Sequence, residues 1–224
     1  MANENAKQGA PIEETLNKHE AFFLKYKKAI IGAVVALVVV VSGFILYRNY
    51  VAIPGEQKAS TALAKGQELF ANGEFEKALN GDSINYVGFL KIADKYSSTD
   101  AGNLANLYAG LCYANLEKWQ EAAKFLEAYD GADDQMISPA AEAALGNAYA
   151  HIEKLDEAVK HLKKAAEKAD NNSLSPTFLI QAGEILESQG KTDEALKLYQ
   201  TIKEKYINSM QYQTIDEYIE RVSK

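Results

Sequence analysis

Apolar and polar positions divide the chain into one unbroken apolar run and a long series of amphipathic segments. The run is Ala29 to Tyr47, AIIGAVVALVVVVSGFILY, nineteen residues with no charge and no proline. As a helix rising about 1.5 Å per residue it spans roughly 28 Å, close to the hydrocarbon thickness of a bilayer. Ser42 is its only polar side chain before Tyr47, so it has no polar face to turn to water. The pattern predicts a transmembrane helix over 29–47, with residues 1–28 on one side of a membrane and 48–224 on the other.

Before the run, residues 1–10 show no periodicity and are expected to be disordered. Pro11 can open a helix, and Ile12, Leu16, Phe23 and Tyr26 fall near one face of it, widened by Phe22. This predicts an amphipathic helix on the inner membrane surface within a 1–28 segment. Within the span, Ala29, Gly32, Ala33 and Ala36 form overlapping small-xxx-small pairs, a face on which a second helix can pack closely. Beyond the span, Pro54-Gly55 is expected to stop the helix, leaving 48–56 as a linker. From Glu56 onward the pattern is helical almost to the end. Breaks fall at Asn72-Gly73, Asn80-Gly81, Ser97 to Asp100, Gly131 to Asp134, Asp170 to Ser175 and Gln189-Gly190. No segment alternates as a strand does, so 57–224 reads as one domain of antiparallel helical hairpins.

Charge divides with the span. Residues 1–28 carry five lysines and four acids, and Lys25, Lys27 and Lys28 abut the apolar run. Only Arg48 and Lys58 lie close on the other side, so the positive-inside rule puts the N-terminus in the cytoplasm. Residues 48–224 hold 19 bases against 27 acids, which disfavours nucleic acid as a partner. A cleaved signal peptide is disfavoured by the 28-residue leader, the long apolar core and the bulky Tyr47, Arg48, Asn49 and Tyr50. The apolar fraction of 47% suits a folded domain rather than an acidic tail.

Internal repetition organises the domain. GLCYANLEKWQEAAKFLEAY from Gly110, GNAYAHIEKLDEAVKHLKKA from Gly146 and GEILESQGKTDEALKLYQTI from Gly183 superpose, with starts 36 and 37 residues apart. Each opens on Gly, continues to Tyr113, Tyr149 or Leu186, and carries Glu-Ala at Ala122, Ala158 or Ala195. A fainter copy begins at Gly66, with Leu69, Gly73, Phe75 and Ala78 in register. The pattern resembles the tetratricopeptide repeat, whose period is 34. Its small residues are expected where two helices cross closely. After Ala78 seven residues are inserted before FLKIADKY, so the second helix of the first repeat is either long or broken near Gly81-Asp82. The final segment, with Met210, Ile215, Tyr218, Ile219 and Val222 on one side, is expected to cap the stack. The expected fold is therefore all-α: one N-terminal transmembrane helix, then a tetratricopeptide-like solenoid of about four repeats and a C-terminal capping helix.

Side chains that could carry chemistry are sparse. His19, His151 and His161 stand at no metal-ligand spacing, no Gly-rich phosphate loop occurs, and no Ser-His-Asp or Cys-His set is visible. Cys112 has no partner for an internal disulfide and lies in an apolar helix, where it reads as core. The chain is not expected to be an enzyme or to hold a cofactor. Binding is the expected mechanism. The repeat register places Leu63, Gln67, Phe70, Leu107, Leu111, Asn115, Asn147, His151, Glu184 and Glu187 on the concave face of the first helices. If the register is one residue off, several of these leucines pack inside instead. Asn147 stands where carboxylate-clamping repeats carry Asn, but Ala143 occupies the Lys position. An apolar groove suits extended segments or an amphipathic helix of a partner.

The whole arrangement resembles the YfgM family, ancillary subunits of the bacterial SecYEG translocon. The local match is EETLNKHEAFFLKYKKAIIGAVV, Glu13 to Val35, with its paired aromatics, basic junction and apolar run opening Ile-Ile-Gly. The resemblance implies an inner-membrane protein with a periplasmic repeat domain. It also implies a chaperone or adaptor role toward unfolded or nascent secreted polypeptides, beside SecYEG and a membrane-anchored periplasmic foldase. A cell-envelope scaffold for division or outer-membrane assembly proteins is the alternative. An organelle import receptor would need the opposite topology.

Overall fold

The computed structural model describes residues 10–82 and 85–223, with side chains from Leu24 onward and that of Phe22. Among them all regular structure is helical. The chain divides into two units, Met1–Pro54 and Gly55–Lys224.

The described part of the first unit opens with one long helix, α1 (Ala10–Tyr47). One helix there is long and apolar enough to cross a membrane, and none of its apolar window is buried by the protein itself. The expected disorder of the first residues lies outside the described residues. So do the side chains of Ile12, Leu16 and Phe23, the greater part of the expected amphipathic face. Phe22 and Tyr26 do pair, with ring centroids 4.8 Å apart. Ala29, Gly32, Ala33 and Ala36 are exposed, and a Cβ at Gly32 would meet nothing within 4 Å. Lys25, Lys27 and Lys28 are exposed as well.

Pro54-Gly55 does not end the helix. A π-helical turn over Arg48–Ala52 leads directly into α2 (Ile53–Ala71), and the N–H of Ile53 bonds to the carbonyl of Arg48. Proline lacks an N–H and clashes with the carbonyl four residues back only in regular α-helix. A wider turn just before Pro54 places it in the first turn of α2, where it is tolerated. The expected linker 48–56 is therefore helical throughout.

In the second unit successive helices pack against their neighbours in the chain. After α2 come α3 (Phe75–Asn80), α4 (Phe89–Lys95), α5 (Asp100–Asn115) and α6 (Trp119–Glu127). These are followed by α7 (Ile137–His151), α8 (Leu155–Ala169), α9 (Ser175–Ser188), α10 (Thr192–Lys205) and α11 (Ile215–Val222). The hairpins α5–α6, α7–α8 and α9–α10 are the three strong repeats. Their small residues lie at the crossings, as expected. A Cβ at Gly110 would sit 2.6 Å from Leu126 Cγ, and at Gly146 2.9 Å from Leu162 Cγ. At Gly183 it would sit 2.4 Å from the Tyr199 ring. Ala122, Ala158 and Ala195 are wholly buried.

The first repeat is broken, not long. Its second helix stops at Asn80 and resumes at Phe89, seven residues out of step with the others. The loop turns at Gly81 and Gly88, with φ of 91° and 90°. Side chains there would collide with the backbone across the loop, 2.3 Å from Tyr86 O and from Leu79 O respectively. Asp82 Oδ1 accepts the N–H groups of Asn85 and Tyr86 at 2.7 and 2.8 Å. Tyr86 is buried and donates its hydroxyl to Ala78 O at 2.9 Å. Phe89 then takes the place held by Leu126, Leu162 and Tyr199 in the later repeats. It lies against Gly66 as they lie against Gly110, Gly146 and Gly183.

Helix ends are closed in a repeated way. The first helix of each repeat ends on a left-handed residue: Gly73 (φ 76°), Glu117 (58°), Glu153 (61°) and Gly190 (72°). In each case the next N–H reaches the carbonyl five residues back, as Lys118 N to Tyr113 O at 2.9 Å and Lys191 N to Leu186 O at 2.9 Å. The left-handed residue bonds three back, as Glu153 N to Ala150 O at 3.1 Å. This double bond is the Schellman closure of a helix. At the other end, Asp134 accepts three N–H groups and the Ser138 hydroxyl ahead of α7. Those bonds hold its carboxyl at about 2, with the Ser138 hydroxyl the largest cause. Glu56 closes α5 from α2, accepting from Asp100 N at 2.8 Å and Ala101 N at 3.1 Å.

The capping helix is α11, shorter than expected. Ile215 and Val222 are buried, and Tyr218 and Ile219 pack on the last core cluster. Met210 is not part of that face: it precedes the helix, next to a 3₁₀ turn, and is 86% exposed.

Glu117 and Glu153 hold a conformation that costs an L-residue about 1 kcal/mol and glycine almost nothing. Glu117→Gly and Glu153→Gly are therefore expected to stabilise the protein by up to about 1 kcal/mol each. Thermal unfolding of the full chain in detergent would show the rise in Tm; a fall in both would contradict this account of the turns.

Candidate functional site

The sequence-derived groove residues separate into three groups. Leu63 and Leu107 are 5% and 6% exposed and belong to the core. They cannot offer a surface to a partner, because each turns toward the adjoining helix rather than outward. Ala143, at the position where carboxylate-clamping repeats carry Lys, is buried too. The alternative register, in which leucines face inward, is the correct one at these positions.

The second group does come together. Gln67 Nε2 donates to Tyr108 Oη at 3.0 Å, joining α2 to α5. The Phe70 ring stands edge-on to Phe75 and Tyr108, with centroids 5.4 Å away in both cases. Tyr108 stacks on the buried Phe89 at 5.2 Å. Leu111, one turn further along α5, is half-buried against the central core cluster. Asn115 is exposed and donates back to Leu111 O at 2.8 Å. His151 is exposed at the end of α7, its ring lying flat on Trp119 with centroids 3.6 Å apart and planes 2° apart. Asn147 is half-buried one turn before it. The result is a face of half-buried aromatic and aliphatic groups with amide edges. Such surfaces present apolar area at low conformational-entropy cost. Tyr108 and Trp119 are its members that sequence reasoning passed over. The single Trp119 was the available signal, at the start of a repeat's second helix.

Of the third group only Glu187 is committed elsewhere. Glu184 is exposed. Glu187 accepts from Arg221 Nε and Nη2 at 2.8 and 2.7 Å and from the Tyr199 hydroxyl at 2.5 Å. The Arg221 hydrogen bonds are the main reason that its carboxyl lies below the usual range. This clamp ties α9 to the capping helix, so the role of Glu187 is structural.

His161 has a defined place as well. Its Nδ1 lies 2.7 Å from Glu142 Oε1, and Lys164 and Lys168 reach the same carboxylate at 2.9 and 3.4 Å. The Glu142 side chain is only 10% exposed, in a cleft of about 190 Å³ between α6, α7 and α8. Burial alone would raise its carboxyl, but Lys164, His161 and Lys168 together hold it below its ordinary value. Cys112 is fully buried, and burial pushes its thiol up to about 12, so it is an inert core residue at neutral pH.

The profile of a family described as the tetratricopeptide repeat-like domain matches residues 20–220, and the chain belongs to that family. None of the curated proteins compared matches the chain. Among solved structures it is similar to the nearly identical TPR-like repeats of a Podosopora anserina protein described as a kinesin light chain. The identity is 13% and the TM-score 0.56, over 75% of this chain and 86% of that one. A variant of the same protein matches with the same TM-score and identity over 85% of its length. At this identity the likeness concerns the fold. Repeats of this kind generally act as protein-binding adaptors without catalysis of their own.

Glu142→Ala would leave His161, Lys164 and Lys168 facing one another across a half-buried cleft. A loss of about 1.5–3 kcal/mol is expected, the range for hydrogen bonds to charged groups. The folded-state carboxyl is depressed from 4.5. Its contribution is therefore complete above the unfolded value and disappears as pH falls through the folded one. The difference in unfolding midpoint between wild type and variant should be largest near neutral pH and shrink toward pH 3. A constant difference across that range would contradict the assignment.

Proposed function

We propose that this protein is a membrane-tethered adaptor of the bacterial envelope, anchored by residues 29–47 with its N-terminus in the cytoplasm and residues 57–224 in the periplasm. It works beside the SecYEG translocon and a membrane-anchored periplasmic foldase, and its clients are unfolded or nascent secreted polypeptides. The observation that carries this reading is the union of two features in one chain: an apolar helix flanked by Lys25, Lys27 and Lys28, and a repeat domain with a half-buried aromatic face. The resemblance of Glu13 to Val35 to the YfgM family supplies the translocon.

The tether explains how a weak, unspecialised face would suffice. Confinement near a channel exit raises the effective concentration of emerging chain to about the millimolar range for short linkers, so individual contacts need not be tight. Gln67, Phe70, Leu111 and Asn115 combine apolar surface with amide hydrogen-bonding groups, which suits extended segments of varied sequence. Asn147 and His151 extend the face into the next repeat. No cofactor, metal or nucleic acid enters this function.

Photo-crosslinkers placed at Phe70 and Leu111 in living cells are expected to capture many different exported polypeptides. Capture of one fixed partner would favour the envelope scaffold instead. Replacing Gly32 and Ala36 with Ile is expected to weaken co-purification with Sec channel subunits in mild detergent at least severalfold while leaving membrane insertion intact. Unchanged association would remove the packing-face role of Ala29, Gly32, Ala33 and Ala36.

A further inference from the structure

Large apolar side chains left in the open on the repeat unit are not scattered. Among the described residues of the unit, Met136, Ile137, Ile207, Met210 and Tyr212 are between 40% and 86% exposed, and Val87 is exposed as well. The first five all lie in or beside connections that lead from the second helix of one repeat to the next hairpin. They therefore share one edge, opposite the turns at Gly73, Glu117, Glu153 and Gly190. Hydrogen bonds run along that edge from where the chain enters the unit. Glu56 binds the start of α5, and Asn103 exchanges two bonds with Asp130, at 2.7 and 2.8 Å. Asn171 Nδ2 donates to Gln135 O at 3.2 Å, and Gln211 Nε2 to Thr177 Oγ1 at 2.9 Å.

The chain enters at this same edge, at Gly55 and Glu56, and only residues 48–55 separate it from the apolar run. Even fully extended, that stretch reaches no more than about 28 Å. Charges on the edge are mixed. Asp134 is used in capping α7, and Asp170 pairs with Lys205 at 2.5 Å. Asp130 and Asp133 add negative charge, so anionic headgroups would not draw the edge in.

We propose that this edge docks on the bilayer surface, with Met136, Ile137, Ile207 and Met210 entering the headgroup region of uncharged lipid. Methionine and isoleucine gain from shallow burial there without needing hydrogen-bond partners. Tyr212 adds a ring suited to the interface. Docking by the connection edge leaves the opposite turns, and the face that carries Phe70 and Leu111 between the two edges, free for a partner. The inference rests on the membrane anchor proposed above.

The test uses the full chain in phosphatidylcholine nanodiscs with and without doxyl-labelled lipid. Bimane is attached in turn to Ile137→Cys, Met210→Cys and, at the opposite edge, Ser188→Cys; the native Cys112 is buried. Doxyl quenching at 137 and 210 is expected to exceed that at 188 at least about twofold, without anionic lipid. Equal quenching at all three positions would overturn docking. So would quenching that requires phosphatidylglycerol, which would mean electrostatic attraction. Disulfide linkage of two copies of unlabelled Met210→Cys, with no quenching of its bimane-labelled form, would make the edge an interface between copies and overturn it as well. Failure of the chain to enter nanodiscs would instead defeat the anchor and, with it, this inference.

Discussion

Close approach of two helices through a residue with no room for a side chain is the constraint on which the repeat unit depends. Gly110, Gly146 and Gly183 meet Leu126, Leu162 and Tyr199, and Gly66 meets Phe89. Ala122, Ala158 and Ala195 complete the crossings from the opposite helix. A methyl group at any of these glycines would fall within 3 Å of its neighbour. The tight crossing sets the hairpin, and the Schellman closure at its turn sets where the second helix begins. Once those are in place, each hairpin presents an apolar flank that only the next hairpin can cover. This is why α11 is needed at the end and why Glu187 and Arg221 fasten it there.

The first repeat shows how far the constraint tolerates change. An insertion separates α3 from α4, yet Phe89 returns to the position facing Gly66. The loop between them is held by Asp82, by the buried Tyr86, and by glycines where the backbone turns left-handed. Insertions are cheap when the closing contacts survive, because loop entropy grows only slowly with length. A consequence is the aromatic face of the N-terminal half: Phe89 brings Tyr108 into stack, and Tyr108 gathers Phe70 and Gln67. The departure from the repeat thus gathers the aromatic cluster of Phe70, Tyr108 and Phe89.

Two kinds of side-chain cluster join the helices of this scaffold. The ion-paired side chains, Glu142 with His161, Lys164 and Lys168, and Glu187 with Arg221, serve cohesion between helices. The aromatics Phe70, Tyr108 and Phe89, and Trp119 with His151, pack against one another from different helices.

Periodicity alone determined the helical class, the tetratricopeptide-like register and the glycine and alanine crossings, and an unbroken apolar run marked the one helix long and apolar enough to cross a membrane. These follow from patterns that recur at fixed spacing, and spacing is what a sequence records directly. Gly73 and Gly190 announced their turns because glycine marks left-handed backbone. Glu117 and Glu153 stand at the same positions and gave no such sign, since glutamate there is allowed only by the hydrogen bonds that close the helix. Tertiary structure also decided what became of Pro54, which a π-helical turn accommodates. It decided which way Leu63 and Leu107 point, because an inward and an outward register differ by one residue in a helix rich in small apolar side chains. It placed Trp119 against His151 and the Asn171 amide on the Gln135 carbonyl, contacts between residues far apart in the chain. Local pattern carries no trace of such pairs, because they exist only after neighbouring hairpins have stacked.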